Sequence, residues 1–225
     1  GAIARHARVE HDRAAAEAVP LLAQAIGDIA HDTVRNRGTV VGSLVHADPA
    51  GELPAVLVLL EGTMELAGAG NGGRRRVAAA DFFLGPLESA VAPGELATAA
   101  EFPRPPAGTG SAWVELARRH GDYAVCGAGA LVTLDPDRRV AAARAALISV
   151  GPVPVAVELT DAVAGQPHDA ADWAAAGRLA AAAVDPEDDI HASAAYRRHL
   201  AGVLTARAAR AAAGHAAERP GGERR

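Results

Sequence analysis

The chain has 225 residues, half of them hydrophobic, and its 22 basic and 27 acidic side chains give a formal net charge of -5. The length suits one large domain or two small ones. An acidic chain with scattered arginines lacks the clustered basic residues expected of a protein that binds duplex nucleic acid. Its single cysteine, Cys126, excludes a disulfide framework, a zinc finger and a cysteine-ligated cluster. No apolar run approaches the ~20 residues of a membrane helix and no signal peptide opens the chain, so we expect a cytoplasmic protein without a membrane span.

The first third of the sequence predicts helices and a small α/β unit. Apolar residues recur at helical spacing over residues 13–30, with Asp12 as the N-cap and Pro20 splitting an early turn from the main helix. The elements predicted after it are a helix over Pro54–Leu60, a strand over Thr63–Ala67, a hairpin-like turn over Gly68–Gly73, and the remainder of the unit at Val77, Asp81–Phe83 and Leu96–Phe102.

Pro103–Gly110 holds three prolines and two glycines and marks the predicted domain boundary. Three antiparallel strands are predicted after it, with a turn at Asp135–Asp137 between the last two: Trp113–Ala117, Ala124–Leu134 and Val140–Val150. Alanine-rich stretches then predict three helices, with an acidic break at Asp185–Asp189 before the last: Val157–Ala164, Ala170–Val184 and Ala192–Ala216. With a frayed tail at the end, the fold class is α+β.

Two kinds of site are disfavoured by the sequence. Ser43, His46 and Asp48 lie on one short segment, whereas the members of a catalytic triad converge from distant segments. The nine histidines are dispersed without metal-ligand spacing, so we expect no metal site. Cys126 lies in an apolar stretch and is expected to be an inert core thiol.

The segment 35–54, RNRGTVVGSLVHADPAGELP, is more informative. Gly38 and Gly42 permit backbone conformations closed to other residues, and Thr39 and Ser43 add hydroxyl donors. Consecutive exposed N–H groups in such a turn suit a phosphate or pyrophosphate, although a merely tight turn fits the same glycines.

Five motifs then occur in order along nearly the whole chain: RNRGTVVGSLVHADPAGELPA at 35–55, DFFLG at 81–85, APGELATAAEFP at 92–103, ELARRHGDYAV at 115–125 and YRRHLAGVL at 196–204. Together they resemble the FAD-binding subunit of molybdenum hydroxylases, the group of carbon monoxide dehydrogenase medium chains and xanthine dehydrogenase. The resemblance implies a partial vanillyl-alcohol-oxidase-like FAD-binding domain over 1–106, a C-terminal domain of a three-stranded antiparallel sheet with helices over 107–218, and a tail over 219–225.

The resemblance also implies roles for individual residues as cofactor binders, with no catalytic residue and no metal ligand. Thr39, Val40, Val41 and Gly42 match the family's T-I-G-G pyrophosphate turn, and Ser43 follows it with a further donor. The remaining assignments are Glu52 as an acidic residue that binds the flavin nucleotide, Asp48 as a second candidate, Trp113 against the isoalloxazine ring, and Asp122 and Tyr123 at the flavin pocket. Arg35 and Arg37 are expected to brace the loop.

Two departures from the family pattern weaken the expected site. Val41 replaces the first of the paired glycines, and its branched side chain disfavours positive φ and close phosphate approach. The opening GAIARHARVEHD resembles a segment downstream of the family's first glycine-rich loop, so half of the FAD cradle is expected to be absent from these residues. We therefore expect FAD to be weakly held or absent in this chain alone, and apolar surface over 13–60 to favour self-association.

By resemblance, the function is that of the flavoprotein subunit of a molybdenum-dependent hydroxylase or dehydrogenase, an FAD-dependent oxidoreductase. Its expected partners are a molybdopterin-binding large subunit and a 2Fe–2S small subunit, from which electrons pass through FAD to an external acceptor. The alternative is a degenerate homologue without tight FAD that serves as a scaffold or binding subunit. The sequence names neither the substrate nor the electron acceptor.

Overall fold

The computed structural model describes residues 1–68 and 73–218. Its helices are α1 His6–Glu10, α2 Arg13–Ala18, α3 Pro20–Ile26, α4 Asp32–Arg35, α5 Val40–His46, α6 Glu52–Leu59, α7 Ala79–Phe82, α8 Thr160–Val163, α9 Trp173–Ala183 and α10 Ala194–Glu218. Its strands are β1 Thr63–Gly68, β2 Arg74–Ala78, β3 Phe83–Gly85, β4 Glu88–Ser89, β5 Glu95–Glu101, β6 Thr109–Ala117, β7 Ala124–Leu134, β8 Val140–Ile148 and β9 Val155–Glu158. The predicted turn centred on 69–72 and the predicted tail over 219–225 lie outside the described residues.

The predicted N-terminal helix is divided where the sequence indicated. Asp12 caps α2, its Oδ1 accepting the Ala15 N–H at 3.1 Å, and Pro20 is the first residue of α3. Proline is tolerated at a first helical position because its missing N–H would have no partner there. The split and the cap are both confirmed.

Large aliphatic side chains build the core of the first half. Helices α3, α5 and α6 pack with an antiparallel sheet of order β2-β1-β5, and their fully buried side chains include Leu21, Leu44, Leu53, Leu57 and Met64. Helix α6 begins at Glu52, two residues before the predicted start, because Gly51 is its extended N-cap. This early start places the Glu52 carboxyl on the first turn of a buried helix.

The second half is an antiparallel sheet of order β6-β7-β8-β9. The three predicted strands are confirmed, but the sheet has a fourth strand, and the helix predicted over Val157–Ala164 is wrong. Residues 155–158 alternate in exposure and pair with β8, Arg144 opposite Glu158, so only Thr160–Val163 is helical. Branched side chains at 155 and 157 favour the extended edge strand over a helix.

Two long helices cover one face of this sheet. Helix α10 lies against β6 and β7 and packs beside α9, while α3 and α6 contact the sheet from the first half. The turn at Asp135 is confirmed, its Oδ1 accepting the N–H groups of Asp137 and Arg139 at 2.9 and 2.8 Å. The acidic break over Asp185–Asp189 is confirmed as the connection between α9 and α10. Across the described residues, we find no helix with the length and apolar character to span a membrane.

Candidate cofactor-binding site

The segment 35–54 is mostly helical rather than a loop. Thr39 is the extended N-cap of α5, and its Oγ1 accepts the Gly42 N–H at 3.0 Å. A Cβ at Gly42 would lie 2.6 Å from that same oxygen, so glycine is required there for space and not for a positive φ. The threonine–glycine pair of the motif therefore forms a helix cap.

Residues 4–6, here called the strap, pair with the residues around this cap. The His6 N–H donates to the Gly38 carbonyl at 3.1 Å, and the Val40 N–H donates to the Ala4 carbonyl at 2.9 Å. Arg5 pairs with Thr39 in an antiparallel bridge, and its guanidinium donates to the Arg37 carbonyl. These bonds fix the start of α5 relative to the N-terminal residues.

Few N–H groups at this turn are free for a ligand, in contrast to the predicted anion nest. The N–H groups of Val40 and Gly42 are engaged as described, and that of Ser43 donates to the Thr39 carbonyl at 3.0 Å. Val41 is the second helical residue, a position whose N–H has no acceptor within a helix. Of the N–H groups of residues 40–43, that of Val41 is therefore the one left for a ligand, and the hydroxyls of Thr39 and Ser43 add to it.

The expected conflict at Val41 is also corrected by the structure. Its backbone is helical, and it is not among the residues with positive φ. The side chain is 4% exposed and packs in the core of the first half. The valine thus fills core space, and the expectation that it requires a disfavoured φ is wrong.

Arg35 braces the segment, as predicted. The residue is 7% exposed, and its guanidinium donates to Glu10 at 2.8 Å and to the Ile29 carbonyl at 3.0 Å, with a further ion pair to Asp32. A buried guanidinium with this many acceptors is committed to structure. The Arg37 carbonyl accepts a hydrogen bond from Arg5 of the strap.

A cavity of about 400 Å³ opens beside the turn. It gathers five of the predicted site residues from both halves of the chain: Ser43, Asp48, Glu52, Asp122 and Tyr123. His31 and His46 also line it. Thr39, Val40, Val41 and Gly42, the N-cap and first residues of α5, do not line this cavity.

The second half reaches the cavity through the turn between β6 and β7. Gly121 has a φ of 84°, and a Cβ on it would lie 2.1 Å from the His31 ring. Only glycine permits both this conformation and this approach. The contact docks the turn against the first half and brings Asp122 and Tyr123 to the cavity wall.

Glu52 is the most perturbed titratable group of the cavity wall. Burial raises its pKa to about 8, and the nearby carboxylates of Glu115 and Asp28 add to the shift. Burial likewise raises the pKa of Glu115 to about 7, with a further contribution from Asp28. At neutral pH, Glu52 therefore holds its proton and can donate a hydrogen bond to a ligand.

Trp113 is not brought to the cavity. Its ring is half-buried against the core of the first half and beside Gly129, where a Cβ would lie 3.0 Å from the ring. Its Nε1 donates to Glu115 Oε2 at 3.2 Å. Sequence reasoning missed Glu115, although a lone carboxylate within the apolar run WVELA was a usable signal.

Tyr123 is the exposed aromatic at the cavity, with 76% of its surface accessible. With Asp48 and Ala50 it also borders a second cavity of about 590 Å³, walled by Asp185–Asp189, His191 and Arg197. Arg197 is 8% exposed and holds that wall together, donating to Asp189 at 2.8 Å and to the Glu187 carbonyl at 3.0 Å. Two adjoining cavities sharing an aromatic wall suit an extended ligand.

The disfavoured sites can be checked against the same geometry. Ser43 pairs with His6 at 3.0 Å, whereas His46 lies 4.0 Å from Asp48 and makes no contact with Ser43 that would form a triad. Within residues 1–68 and 73–218, no group of three histidine, cysteine or acidic side chains could hold a metal ion. Cys126 is buried, and burial raises its pKa to about 12, which keeps the thiol protonated and unreactive.

The fold and the cavity define a class of protein, the flavin-binding subunits of molybdenum hydroxylases. Residues 1–105 match the family described as the FAD binding domain in molybdopterin dehydrogenase, and residues 111–212 match the CO dehydrogenase flavoprotein C-terminal domain. The chain is similar to the 6-hydroxypseudooxynicotine dehydrogenase complex subunit alpha of Paenarthrobacter nicotinovorans, with 35% identity over 89% of this chain and 67% of that protein. It is also 35% identical to the carbon monoxide dehydrogenase medium chain of Afipia carboxidovorans, over 91% of this chain and 70% of that protein.

Solved structures agree with these relatives. Carbon monoxide dehydrogenase from Hydrogenophaga pseudoflava matches with a TM-score of 0.88 and 32% identity, over 96% of this chain and 74% of that chain. Quinoline 2-oxidoreductase from Pseudomonas putida 86 matches with a TM-score of 0.87 and 35% identity, over the same 96% and 74%. The chain belongs to the family of FAD-binding medium subunits of molybdenum hydroxylases, which are oxidoreductases. It spans about two thirds of the length of these two curated relatives.

Proposed function

We propose that this chain binds FAD and acts as the electron-transferring medium subunit of a molybdenum-dependent hydroxylase or dehydrogenase. In this proposal, a molybdopterin-binding large subunit oxidises the substrate, a 2Fe–2S small subunit carries the electrons to this chain, and an external acceptor receives them. The main observation in support is the cavity that brings Ser43, Asp48, Glu52, Asp122 and Tyr123 together from segments up to 80 positions apart.

The residues present fit the cofactor chemically. The Thr39 hydroxyl accepts the Gly42 N–H, so its own hydrogen remains available to donate, as does the Val41 N–H. We assign Ser43, at the cavity wall, to the pyrophosphate together with these two donors, an assignment in which the pyrophosphate extends beyond the cavity along the start of α5. Gly42 keeps the cap intact because a side chain there would displace the Thr39 hydroxyl.

Two further groups suit the rest of the cofactor. The neutral Glu52 carboxyl can donate to a carbonyl or hydroxyl oxygen without adding negative charge beside the pyrophosphate. The exposed Tyr123 ring offers a flat face on which an isoalloxazine can stack. When bound, FAD supplies reversible storage of two electrons, and this chain positions it and shapes its surroundings.

The partners and the arrangement of the subunit are part of the same proposal. With one cysteine, the chain has no ligand set for its own cluster, so electrons must arrive from another subunit. We divide the chain into an FAD-binding domain over 1–106 and a C-terminal domain over 107–218, and we place the assembled enzyme in the cytoplasm.

Reconstitution with FAD and recovery of partners test the proposal together. The purified chain should bind one equivalent of FAD in an absorbance titration and show a flavin spectrum. A tagged copy expressed in its native host should co-purify with a molybdopterin subunit and an iron–sulfur subunit. Failure to bind FAD at any concentration up to ~1 mM would contradict the cofactor assignment, and recovery of neither partner would contradict the assembly.

A second function is favoured by one observation. Because the N–H groups of Val40, Gly42 and Ser43 are already engaged, the turn offers a phosphate fewer donors than an open glycine nest would. The alternative is a scaffold or binding subunit that does not hold FAD tightly. It predicts a colourless protein that still co-purifies with both partners, or that self-associates on gel filtration when they are absent.

A further inference from the structure

His6 is a buried polar residue that the proposed function does not use. It is 2% exposed, at the first position of α1, and its Nε2 lies 3.0 Å from the Ser43 Oγ. Ser43 in turn lines the 400 Å³ cavity. A buried imidazole thus contacts a hydroxyl at the cavity wall.

The surroundings keep the His6 ring in one place. A Cβ at Gly38 would lie 2.9 Å from two ring atoms, and the His6 N–H is bonded to the Gly38 carbonyl at 3.1 Å. Arg35 and Glu10 are the charged groups that act on the ring, and they form an ion pair with each other at 2.8 Å. Burial, the largest effect, lowers the pKa of His6, so the imidazole is neutral at pH 7.

A serine hydroxyl has one hydrogen and two acceptor lone pairs, and it rotates freely unless a partner fixes it. We take His6 in its Nε2–H tautomer, which leaves the buried Nδ1 as a bare acceptor without a hydrogen-bond partner among the described residues. His6 then donates to one lone pair of the Ser43 Oγ, and the hydroxyl hydrogen stays free to donate to a ligand in the cavity. Fixing the rotor in advance removes a part of the entropy that would be lost when a ligand binds.

We propose that His6 is a positioning residue, which orients the Ser43 hydroxyl towards the pyrophosphate of FAD. This inference rests on the proposed function, since it assigns the ligand of Ser43 to that cofactor. His6 touches neither the cofactor nor the reacting atoms, and it acts only through Ser43. It follows that the effects of His6 and Ser43 on FAD affinity are coupled, and that they are absent for a flavin without phosphate.

A double-mutant cycle tests this coupling. His6→Phe keeps the ring volume and removes the hydrogen bond, Ser43→Ala removes the hydroxyl, and His6→Gln restores a neutral polar group near the position of Nε2. Dissociation constants for FAD and for riboflavin, which lacks the pyrophosphate, are measured for each variant and for the double variant. His215→Phe is the matched control, because it removes a histidine bonded to the Ser111 carbonyl at 2.7 Å, away from the cavity.

We expect His6→Phe and Ser43→Ala each to weaken FAD binding about tenfold, the size of one charge-assisted hydrogen bond. The double variant should be no weaker than either single variant, His6→Gln should stay within about twofold of the wild type, and riboflavin affinity should be unchanged throughout. His215→Phe should alter thermal stability but neither affinity.

Other outcomes would overturn the inference. Additive losses near 100-fold, equal losses for riboflavin, or His6→Phe binding FAD as the wild type does would each show that His6 is only structural. A wild-type chain that binds riboflavin but not FAD, or binds neither, would instead refute the proposed function. If His6→Phe does not fold, the ¹⁵N shifts of the wild-type imidazole decide the question, since FAD should move them and riboflavin should not.

Discussion

The two halves of the molecule build their cores from different side chains. In the first half the buried residues are mostly leucine, isoleucine, valine and phenylalanine, packed between short helices and a three-stranded sheet. Under α10, the buried residues are mostly alanines around Trp173, and backbone lies directly on backbone. A Cβ at Gly110 would come within 2.0 Å of the Ala212 carbonyl oxygen, and one at Gly177 within 2.4 Å of the Gly202 carbonyl.

This difference explains where a ligand can bind. Alanine and glycine let α10 lie flat on the sheet and leave no space between the layers. The larger cavities occur instead where the turn after β6 and the break before α10 meet the irregular helices of the first half. The layered part of the second half therefore supplies a rigid base, and the polar cavity walls come from the irregular segments of both halves.

A side chain at Gly110, where β6 lies against the backbone of α10, should produce the largest effect on stability. Gly110→Val places a branched side chain where the backbone of Ala212 and Ala216 already lies, so α10 must move away from β6. We expect the free energy of unfolding to fall by about 3 kcal/mol, measured by urea denaturation. Gly110→Ala should be destabilising in the same direction and by less. A loss under about 1 kcal/mol for the valine variant would show that the two layers are not in rigid contact.

The buried carboxyl of Glu52 gives the first half a pH dependence that is larger than the one that Glu115, with a pKa raised to about 7, gives the second half. Its pKa is about 8 in the folded chain and near 4.5 when unfolded, so the unfolded state releases this proton first as the pH rises. The associated stability is complete below pH 4.5, declines between pH 4.5 and 8, and is lost above pH 8. Glu52→Gln, which stays neutral, should be more stable than the wild type at pH 8.5 by about 2 kcal/mol and nearly equal to it at pH 5.

Thermal melts in the absence of flavin, at several pH values, measure this difference. Glu88→Gln is the control, because it makes the same chemical change at an exposed position of the first half. Parallel melting profiles for the wild type and Glu52→Gln would indicate that the Glu52 carboxyl is solvated in the folded chain.

Much of the second half could be predicted from sequence because its signals are local. Continuous apolar runs, the Asp135 turn and alanine-rich helices each specify their own element, and three strands and two long helices were placed within a few residues. The edge strand β9 was missed because its four residues are few, so the weak strand preference of Val155 and Val157 becomes decisive only through pairing with β8, a distant contact.

The cavity depends on contacts that are distant in sequence. Resemblance to the family supplied Ser43, Asp48, Glu52, Asp122 and Tyr123, and no local pattern would have joined them. His6 was missed because its role requires the strap to cross behind α5, which residues 4–6 alone do not indicate. Val41 was misjudged since the glycine pattern was interpreted as a turn, whereas Thr39 begins a helix there.

Tyr123 and Trp113 provide a direct comparison of an exposed and a packed aromatic. Tyr123→Ala should leave the melting temperature nearly unchanged and weaken FAD binding by about 2- to 10-fold, the range of aromatic stacking energies near 0.5–1.5 kcal/mol. Trp113→Ala should lower the melting temperature, because the ring packs in the core and holds Glu115. After correction for the unfolded fraction, the FAD affinity of Trp113→Ala should match that of the wild type. A loss of FAD affinity in this variant without a loss of stability would show that Trp113 stacks on the flavin ring.

The smallest effect is expected at Gly214, and it has the opposite sign from Gly110. Gly214 lies inside α10, and a Cβ there would meet nothing within 4 Å. Alanine at this position restricts the unfolded chain and introduces no clash, so Gly214→Ala should raise the free energy of unfolding by about 0.5–1 kcal/mol. Gly110→Ala and Gly214→Ala are the same chemical change, the first where β6 contacts α10 and the second at a position of α10 that faces open space. Urea denaturation of both variants compares the two positions. If both substitutions changed the free energy of unfolding in the same direction, the close approach of α10 to β6 would not be what distinguishes the two glycines. Two gains would indicate a general effect of alanine on the unfolded chain, and two losses would indicate general crowding.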